Sequence, residues 1–254
     1  MERVEIAEGI VQYCFGAETG KHYGFNLTAL LDRQNGRALL IDTAYEAQAA
    51  EAYADLTGRG FELGAVVVSH FHPDHVMGLK ALPRTALYGS ARCDETLRLY
   101  PDEAERRTIS PTDRVSDGAA TTFGPFDLTF LLAPGHSACS MHTVIGSTFV
   151  HVADNIMTSD TGQDILPWAA YDLIEDHVRS LEALRALSDR TLLLSHGVIL
   201  DDPETIRVAI DNRVAYFRAV LTGEGRIPYE EAVAGCTCDF LHREWLIRRD
   251  ESAS

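Results

Sequence analysis

The sequence predicts an α/β fold: one main domain over residues 1–202, followed by a helical extension over 203–254. Three observations carry that expectation. Short apolar, β-branched runs alternate with helical stretches, the order of elements recurs in the second half, and no Pro/Gly/Ser-rich linker or low-complexity segment divides the chain. With 254 residues and 46% apolar content, the chain has enough material for a core of that size.

The first stretch reads as paired strands over 10–15, 25–31 and 38–42, with a polar turn at 32–36. Residues 45–57 are alanine-rich, lack an internal Gly or Pro and stop before Gly58, so a helix is expected there. The run 65–69 is short, β-branched and preceded by Gly64, which suits a buried strand. A helix over 75–82, a strand over 85–88 and a helix over 90–100 follow.

The second half repeats the plan, with strands over 126–132, 141–145 and 148–152, a helix over 171–187 and a strand over 191–195. No repeat of fixed period accompanies this order. In the extension, Ile206, Val208, Ile210, Val214, Phe217 and Leu221 stand at roughly helical spacing after Pro203, a residue that the first turn of a helix tolerates.

The formal net charge of −16 repels a phosphate backbone, so nucleic acid is not an expected partner. No apolar run reaches the ~18 residues that span a bilayer, and the first residues lack an apolar signal core, so a cytoplasmic location without a membrane partner is expected. The five cysteines are odd in number and scattered, and so read as free thiols. Cys236 and Cys238 are one residue apart and miss the CxxC spacing of zinc or redox sites.

Chemistry concentrates directly after the strand at 65–69. In Ser69-His-Phe-His-Pro-Asp-His75, an extended segment points His70 and His72 the same way, toward one metal. Pro73 then starts a helix that turns Asp74 and His75 toward a neighbouring position. Neutral imidazole and carboxylate oxygen are the donors that catalytic zinc accepts, and three protein ligands leave a place for water. Four ligand-type residues within six positions have few structural explanations.

The remaining histidines separate by context. His136 in Ala133-Pro-Gly-His-Ser137 and His196 in Leu194-Ser-His-Gly197 each follow an apolar strand in a turn-rich loop, the same kind of place as the first cluster. Asp154 ends another strand, where its carboxylate is suited to bridge two cations. His142 and His151 fall within expected strands and His177 on a helix face, so structural roles are expected for these.

The segment Ser69 to His75 resembles the HxHxDH signature of the metallo-β-lactamase superfamily, and its remaining motifs follow in order: LLIDT at Leu39 to Thr43, APGHS at Ala133 to Ser137, Asp154, and LSHG at Leu194 to Gly197. The resemblance covers most of the chain and is similar to the glyoxalase II-like and lactonase-like branch. It implies a four-layer αβ/βα sandwich with metals at one edge between two mixed sheets. It further implies a first metal on His70, His72 and His136, a second on Asp74, His75 and His196, Asp154 bridging them, and Asp42 supporting the site. Cys139 and His142 depart from the small residues more usual beside the APGHS motif, and packing is expected of them.

The resemblance implies a dinuclear metal-dependent hydrolase of a small thioester, ester or lactone, acting through a metal-bridging hydroxide, with Asp74 as ligand and acid–base group. Two zinc ions are expected, iron or manganese being the alternatives. A mononuclear-iron persulfide dioxygenase is the alternative function. A non-catalytic metal-binding module is disfavoured by the intact ligands, and a β-lactamase by Asp154, which such enzymes generally lack. The expected partner is a small-molecule substrate, met in the loops 16–23 and 159–171, where Tyr23, Trp168 and Tyr171 are the aromatic candidates.

Overall fold

A computed structural model of the protein describes residues 1–249. Strands β1 (Glu2–Ala7), β2 (Ile10–Phe15), β3 (Phe25–Asp32), β4 (Arg37–Ile41), β5 (Glu62–Val68), β6 (Ala86–Ser90) and β7 (Asp113–Val115) lie side by side in chain order. The first four are antiparallel neighbours, while β4 to β7 pair parallel. A second sheet holds β8 (Ala119–Phe123), β9 (Phe126–Leu132), β10 (Met141–Ile145), β11 (Phe149–His151) and β12 (Thr191–Leu193) in the order β12-β11-β10-β9-β8. Only β11 and β12 pair parallel within it, so both sheets are mixed.

The helices are α1 (Glu46–Gly58), α2 (Pro73–Val76), α3 (Asp94–Leu97), α4 (Glu103–Ile109), α5 (Ile174–Leu184), α6 (Pro203–Thr222) and α7 (Tyr229–Ala232). Strand periodicity sorts their packing partners. In β4 and β5, Leu40, Val66 and Val68 face a core with Ala52 and Leu56 of α1, whereas Leu39, Ile41, Ala65 and Val67 face Leu128, Phe130, Met141 and Leu193 of the other sheet. Val150 and Leu192 turn outward to a third core with Val178 and Leu181 of α5 and Ile206 and Ile210 of α6. The result is the expected sandwich of helices, sheet, sheet and helices.

Several expected elements differ in extent. The helix expected over 75–82 is a single turn, α2, continued as a 3-10 helix over Met77–Ala81. The segment lies directly on the start of α1, for a Cβ at Gly78 would stand 2.1 Å from Thr43 O and 2.7 Å from Ala49 Cβ. The helix expected over 90–100 is regular only in α3. Strands β1, β7 and β8 and helix α4 were not anticipated. The first three pair mainly through backbone at sheet edges and carry weak apolar patterns. Helix α4 is begun by Asp102, whose carboxylate accepts from Glu105 N.

After α6 and α7 the chain returns to the sandwich, where Leu241 N donates to Asp164 O at 2.9 Å and Leu166 N donates to Leu241 O at 3.0 Å. Residues 250–254 of the expected extension lie outside the described residues. All five cysteines are free thiols. Among the described residues, no helix is long and apolar enough to cross a membrane.

Candidate metal centre

The candidate residues gather where strands of the two sheets end side by side. Asp42 follows β4, His70 and His72 follow β5, Asp154 follows β11 and His196 follows β12. Because each of these strand pairs is parallel, their carboxyl ends open on the same edge. His136 joins them from the loop before β10. At this edge Met141 N donates to Ser69 O at 2.9 Å and Asn26 N to Ser195 O at 2.8 Å, tying one sheet to the other.

Local geometry aims each donor. His72 is extended and Pro73 occupies the first turn of α2, so the chain bends between His72 and Asp74. Ala153 adopts φ +52°, turning Asp154 inward at the end of β11. At Gly135, φ is +151° and a Cβ would stand 2.4 Å from the Cα of His177, so only glycine lets α5 press against the loop that carries His136.

Three groups of potential ligand atoms form, each within 4.8 Å: His70 with His72 and His136, His70 with His75 and Asp154, and Asp74 with His75 and His196. Asp154 Oδ2 lies at the centre, 3.4 Å from His75 Nε2, 3.5 Å from His136 Nε2 and His196 Nε2, and 4.0 Å from His70 Nε2. His72 Nδ1 is 3.0 Å from both His70 Nε2 and His136 Nε2. Asp74 reaches His75 Nε2 at 3.7 Å and His196 Nε2 at 3.5 Å. All the candidate ligands therefore come together.

The ring nitrogens turned away from the centre are also held. Nδ1 of His75 meets Asp42 Oδ2 at 2.8 Å, Nδ1 of His136 meets Trp168 O at 3.2 Å, and Nδ1 of His196 meets Gly24 O at 2.7 Å. A proton kept on those outer atoms leaves each Nε2 lone pair facing inward, the arrangement that metal-binding histidines need. Asp42 itself is buried and accepts from Ser69 N, Ser69 Oγ and Ser195 Oγ at 2.8, 2.7 and 3.1 Å.

Electrostatics shows the same convergence. Burial drives the pKa of His70 well below its ordinary value and that of His72 down to about 3, helped by neighbouring imidazoles. Burial opposes charge at His75 and His196 as well, but the carboxylates together outweigh it: Asp154, Asp42 and Asp74 at His75, and Asp154 and Asp74 at His196. The His75 pKa is held well above its ordinary value and that of His196 at about 10. Burial also opposes ionisation at Asp74 and Asp154, and the neighbouring histidines overcome it and hold both carboxyls below their usual range.

The donor set fits a metal. His75 Nε2, His196 Nε2 and Asp154 Oδ1 are buried with no hydrogen-bond partner, a costly state that a cation would relieve. His142, His151 and His177 are buried in β10, β11 and α5, outside these ligand groups.

A cavity of about 390 Å3 opens over the cluster, lined by His72, Asp74, His136 and Asp154 together with Tyr23, Met157, Trp168 and Trp245. Tyr23 and Trp168 thus stand where the loop reading anticipated. Tyr171 does not: it packs against Gly225, and Arg249 lies over its ring at 5.6 Å. Trp245 and Met157 were missed. The one signal for Trp245 was its rarity, since the chain has just two tryptophans.

A family model described as the metallo-beta-lactamase superfamily matches residues 24–196. Similar proteins include a hydroxyacylglutathione hydrolase of Brucella anthropi, 34% identical over 44% of this chain and 38% of its own length. An acyl-coenzyme A thioesterase MBLAC2 of Homo sapiens is 30% identical over 50% of this chain and 52% of its own. A hydroxyacylglutathione hydrolase of Cereibacter sphaeroides is 27% identical over 65% and 58%. The chain therefore spans less than two thirds of the length of these relatives. Among solved structures, a beta-lactamase domain protein from Burkholderia ambifaria superposes with a TM-score of 0.63 at 17% identity, covering 87% of this chain and 78% of its own. The sec-alkylsulfatase Pisa1 from Pseudomonas sp. gives 0.64 at 17% identity, covering 97% and 47%. At that identity these two likenesses establish the fold.

Proposed function

Because the chain belongs to the metallo-β-lactamase superfamily, whose family model matches more than half of it, we propose that it is a metal-dependent hydrolase of a small thioester, ester or lactone. The observation that carries this reading is the convergence of four histidine Nε2 atoms on Asp154 Oδ2 beneath an open cavity. The hydroxyacylglutathione hydrolase and acyl-coenzyme A thioesterase relatives support the glyoxalase II-like branch and a thioester carbonyl as the reacting group.

In this reading His70, His72 and His136 would hold one ion, Asp74, His75 and His196 would hold a second, and Asp154 would serve the same centre. Nitrogen and carboxylate oxygen donors suit zinc, with iron and manganese as the alternatives. Ions bound there supply Lewis acidity and a water acidic enough to be deprotonated near neutral pH.

The protein's own groups do the rest. Asp74, ionised and partly exposed at the mouth of the cavity, takes a proton from the attacking water and hands it to the leaving group. Tyr23 packs edge-on to His196 at 5.0 Å between ring centroids, and burial raises its pKa to about 12, keeping the hydroxyl a donor. Trp168 O and Gly24 O fix the rings of His136 and His196. Five free thiols are consistent with a reducing compartment, and we assign the protein to the cytoplasm.

The test is elemental analysis of protein purified without added metal, with turnover of a panel of small thioesters, esters and lactones. About two zinc ions per chain with turnover is the expected result. About one iron with oxygen consumption would instead indicate a dioxygenase, and protein that binds no metal would overturn the proposal.

A further inference from the structure

The cavity over the cluster has a wall whose side chains are not among the candidate ligands. Tyr23 and Met157 contribute to it, together with Trp168 and Trp245, the two tryptophans of the chain. They arrive from distant places in sequence. Trp168 sits in the loop after β11, with its carbonyl on His136 and its ring 5.8 Å from that of His136. Trp245 sits in the 3-10 turn Arg243–Trp245 near the C-terminal end of the described residues.

Trp245 is fastened rather than loosely placed. Its indole stacks on His242 at 4.4 Å with the planes 22° apart, and Tyr23 lies edge-on to it at 6.1 Å. His242, in the left-handed region at φ +60°, is held by Glu244 Oε1 at 2.8 Å and by His22 Nδ1 at 3.3 Å. The backbone bonds of Leu241 to residues 164 and 166 tie the same segment to the loop that carries Trp168. An ordered turn thus holds an aromatic surface over the reactive edge, where Trp168 remains 43% exposed.

Charge narrows what can rest there. No Lys or Arg lines this cavity among the described residues, and its acidic groups, Asp74 and Asp154, belong to the candidate ligand groups, so the wall away from them is uncharged. The indoles themselves offer an anionic group no cation, whereas an uncharged hydrocarbon group resting on them removes indole surface from water. We propose that Trp168 and Trp245 form an acyl subsite that selects substrates with an uncharged, apolar acyl chain, the C-terminal segment serving as a specificity element. The subsite deepens the hydrolase reading and rests on it for the identity of the group as acyl.

Since both tryptophans belong to this wall, intrinsic fluorescence reports its occupancy without turnover. The full chain is titrated with neutral alkyl amides from propanamide to octanamide, and assayed with N-acetylcysteamine thioesters of the same acyl lengths. Fluorescence should respond, and Kd and KM should fall by about two- to fourfold per methylene. Trp168→Ala and Trp245→Ala should flatten that slope, while Trp168→Phe and Trp245→Phe should keep most of it and assign the signal to the remaining indole.

Unchanged fluorescence up to saturating octanamide, or a slope that survives both alanine changes, overturns the subsite. Turnover of acetyl and octanoyl thioesters with equal KM also overturns it and leaves the hydrolase reading standing. Chain-dependent quenching in a protein that hydrolyses no ester, thioester or lactone does the reverse: the apolar subsite stands and the hydrolase reading falls.

Discussion

Asp42 Oδ2 lies 2.8 Å from His75 Nδ1, and the same carboxylate accepts from Ser69 and Ser195. Asp42 follows β4, Ser69 follows β5 and Ser195 follows β12, so one buried side chain ties together strand ends from both sheets and orients a candidate ligand. Burial opposes its ionised form, but His75, His151 and the Ser69 N–H together outweigh it and hold the carboxyl below its ordinary range. Asp42→Asn retains the shape but weakens that orientation. Metal affinity, measured by competition with a chelator, should fall by about 10- to 100-fold, with activity recovering in excess metal.

Asp74 differs from the other carboxylate of the centre in its access to the cavity, its side chain being 28% exposed against 4% for Asp154. If it transfers the proton, Asp74→Asn assayed at saturating metal should lower kcat by roughly 10^2- to 10^4-fold. A kcat within a few-fold of the parent would remove Asp74 from the acid–base role.

Arg213 is a fully buried cation that donates to Asp164 Oδ1 at 2.7 Å, Ala209 O at 2.9 Å and Met157 O at 2.6 Å, joining α6 to the loop beside the cavity. Arg213→Met leaves the Asp164 carboxylate without its cation, and urea unfolding should show a loss of about 3–5 kcal/mol. Adding Asp164→Asn should recover part of that loss, because no unpaired carboxylate is then left behind.

Gly135→Ala introduces a Cβ 2.4 Å from His177 Cα at a φ of +151°. The His136 loop and α5 must separate, at a cost on the order of 1–3 kcal/mol. Thermal unfolding should reveal the loss, and metal affinity should drop with it, since His136 rides on that loop. An unchanged Tm would mean that the contact is soft.

His142 is buried in β10, and burial pushes its pKa down to about 3, with His151 adding to the effect. The unfolded chain takes up a proton near pH ~6.5 that the folded chain refuses until about pH 3. Stability is therefore full above the unfolded pKa and declines as pH falls through this window, by about 1.4 kcal/mol per pH unit. His142→Phe removes that proton uptake. The drop in urea-unfolding stability between pH 7 and pH 5 should shrink by about 2 kcal/mol relative to the parent, and an unchanged drop would assign the acid sensitivity to other groups.

The sequence by itself determined the candidate ligands and the strands that carry them. Imidazole and carboxylate chemistry is written in residue type, and His70, His72, Asp74, His75, His136, Asp154 and His196 all stand at strand ends or in turn-rich loops that local pattern reveals. Long, strongly apolar elements such as β5, β9 and α6 were equally legible. The short edge elements β1, β7 and β8 were not, because their pairing depends on backbone bonds to neighbours more than on side-chain pattern.

Tertiary structure alone decided which surfaces face the centre. Trp245 reaches the cavity because the segment after α7 returns through Leu241 to residues 164 and 166, and nothing local to residues 239–249 records that return. Tyr171, close in sequence to Trp168, is turned away against Gly225 and Arg249 by the same packing. The separate ends of β4, β5, β11 and β12 become one site only when two sheets pack face to face, since the contacts that align them join residues far apart in the chain.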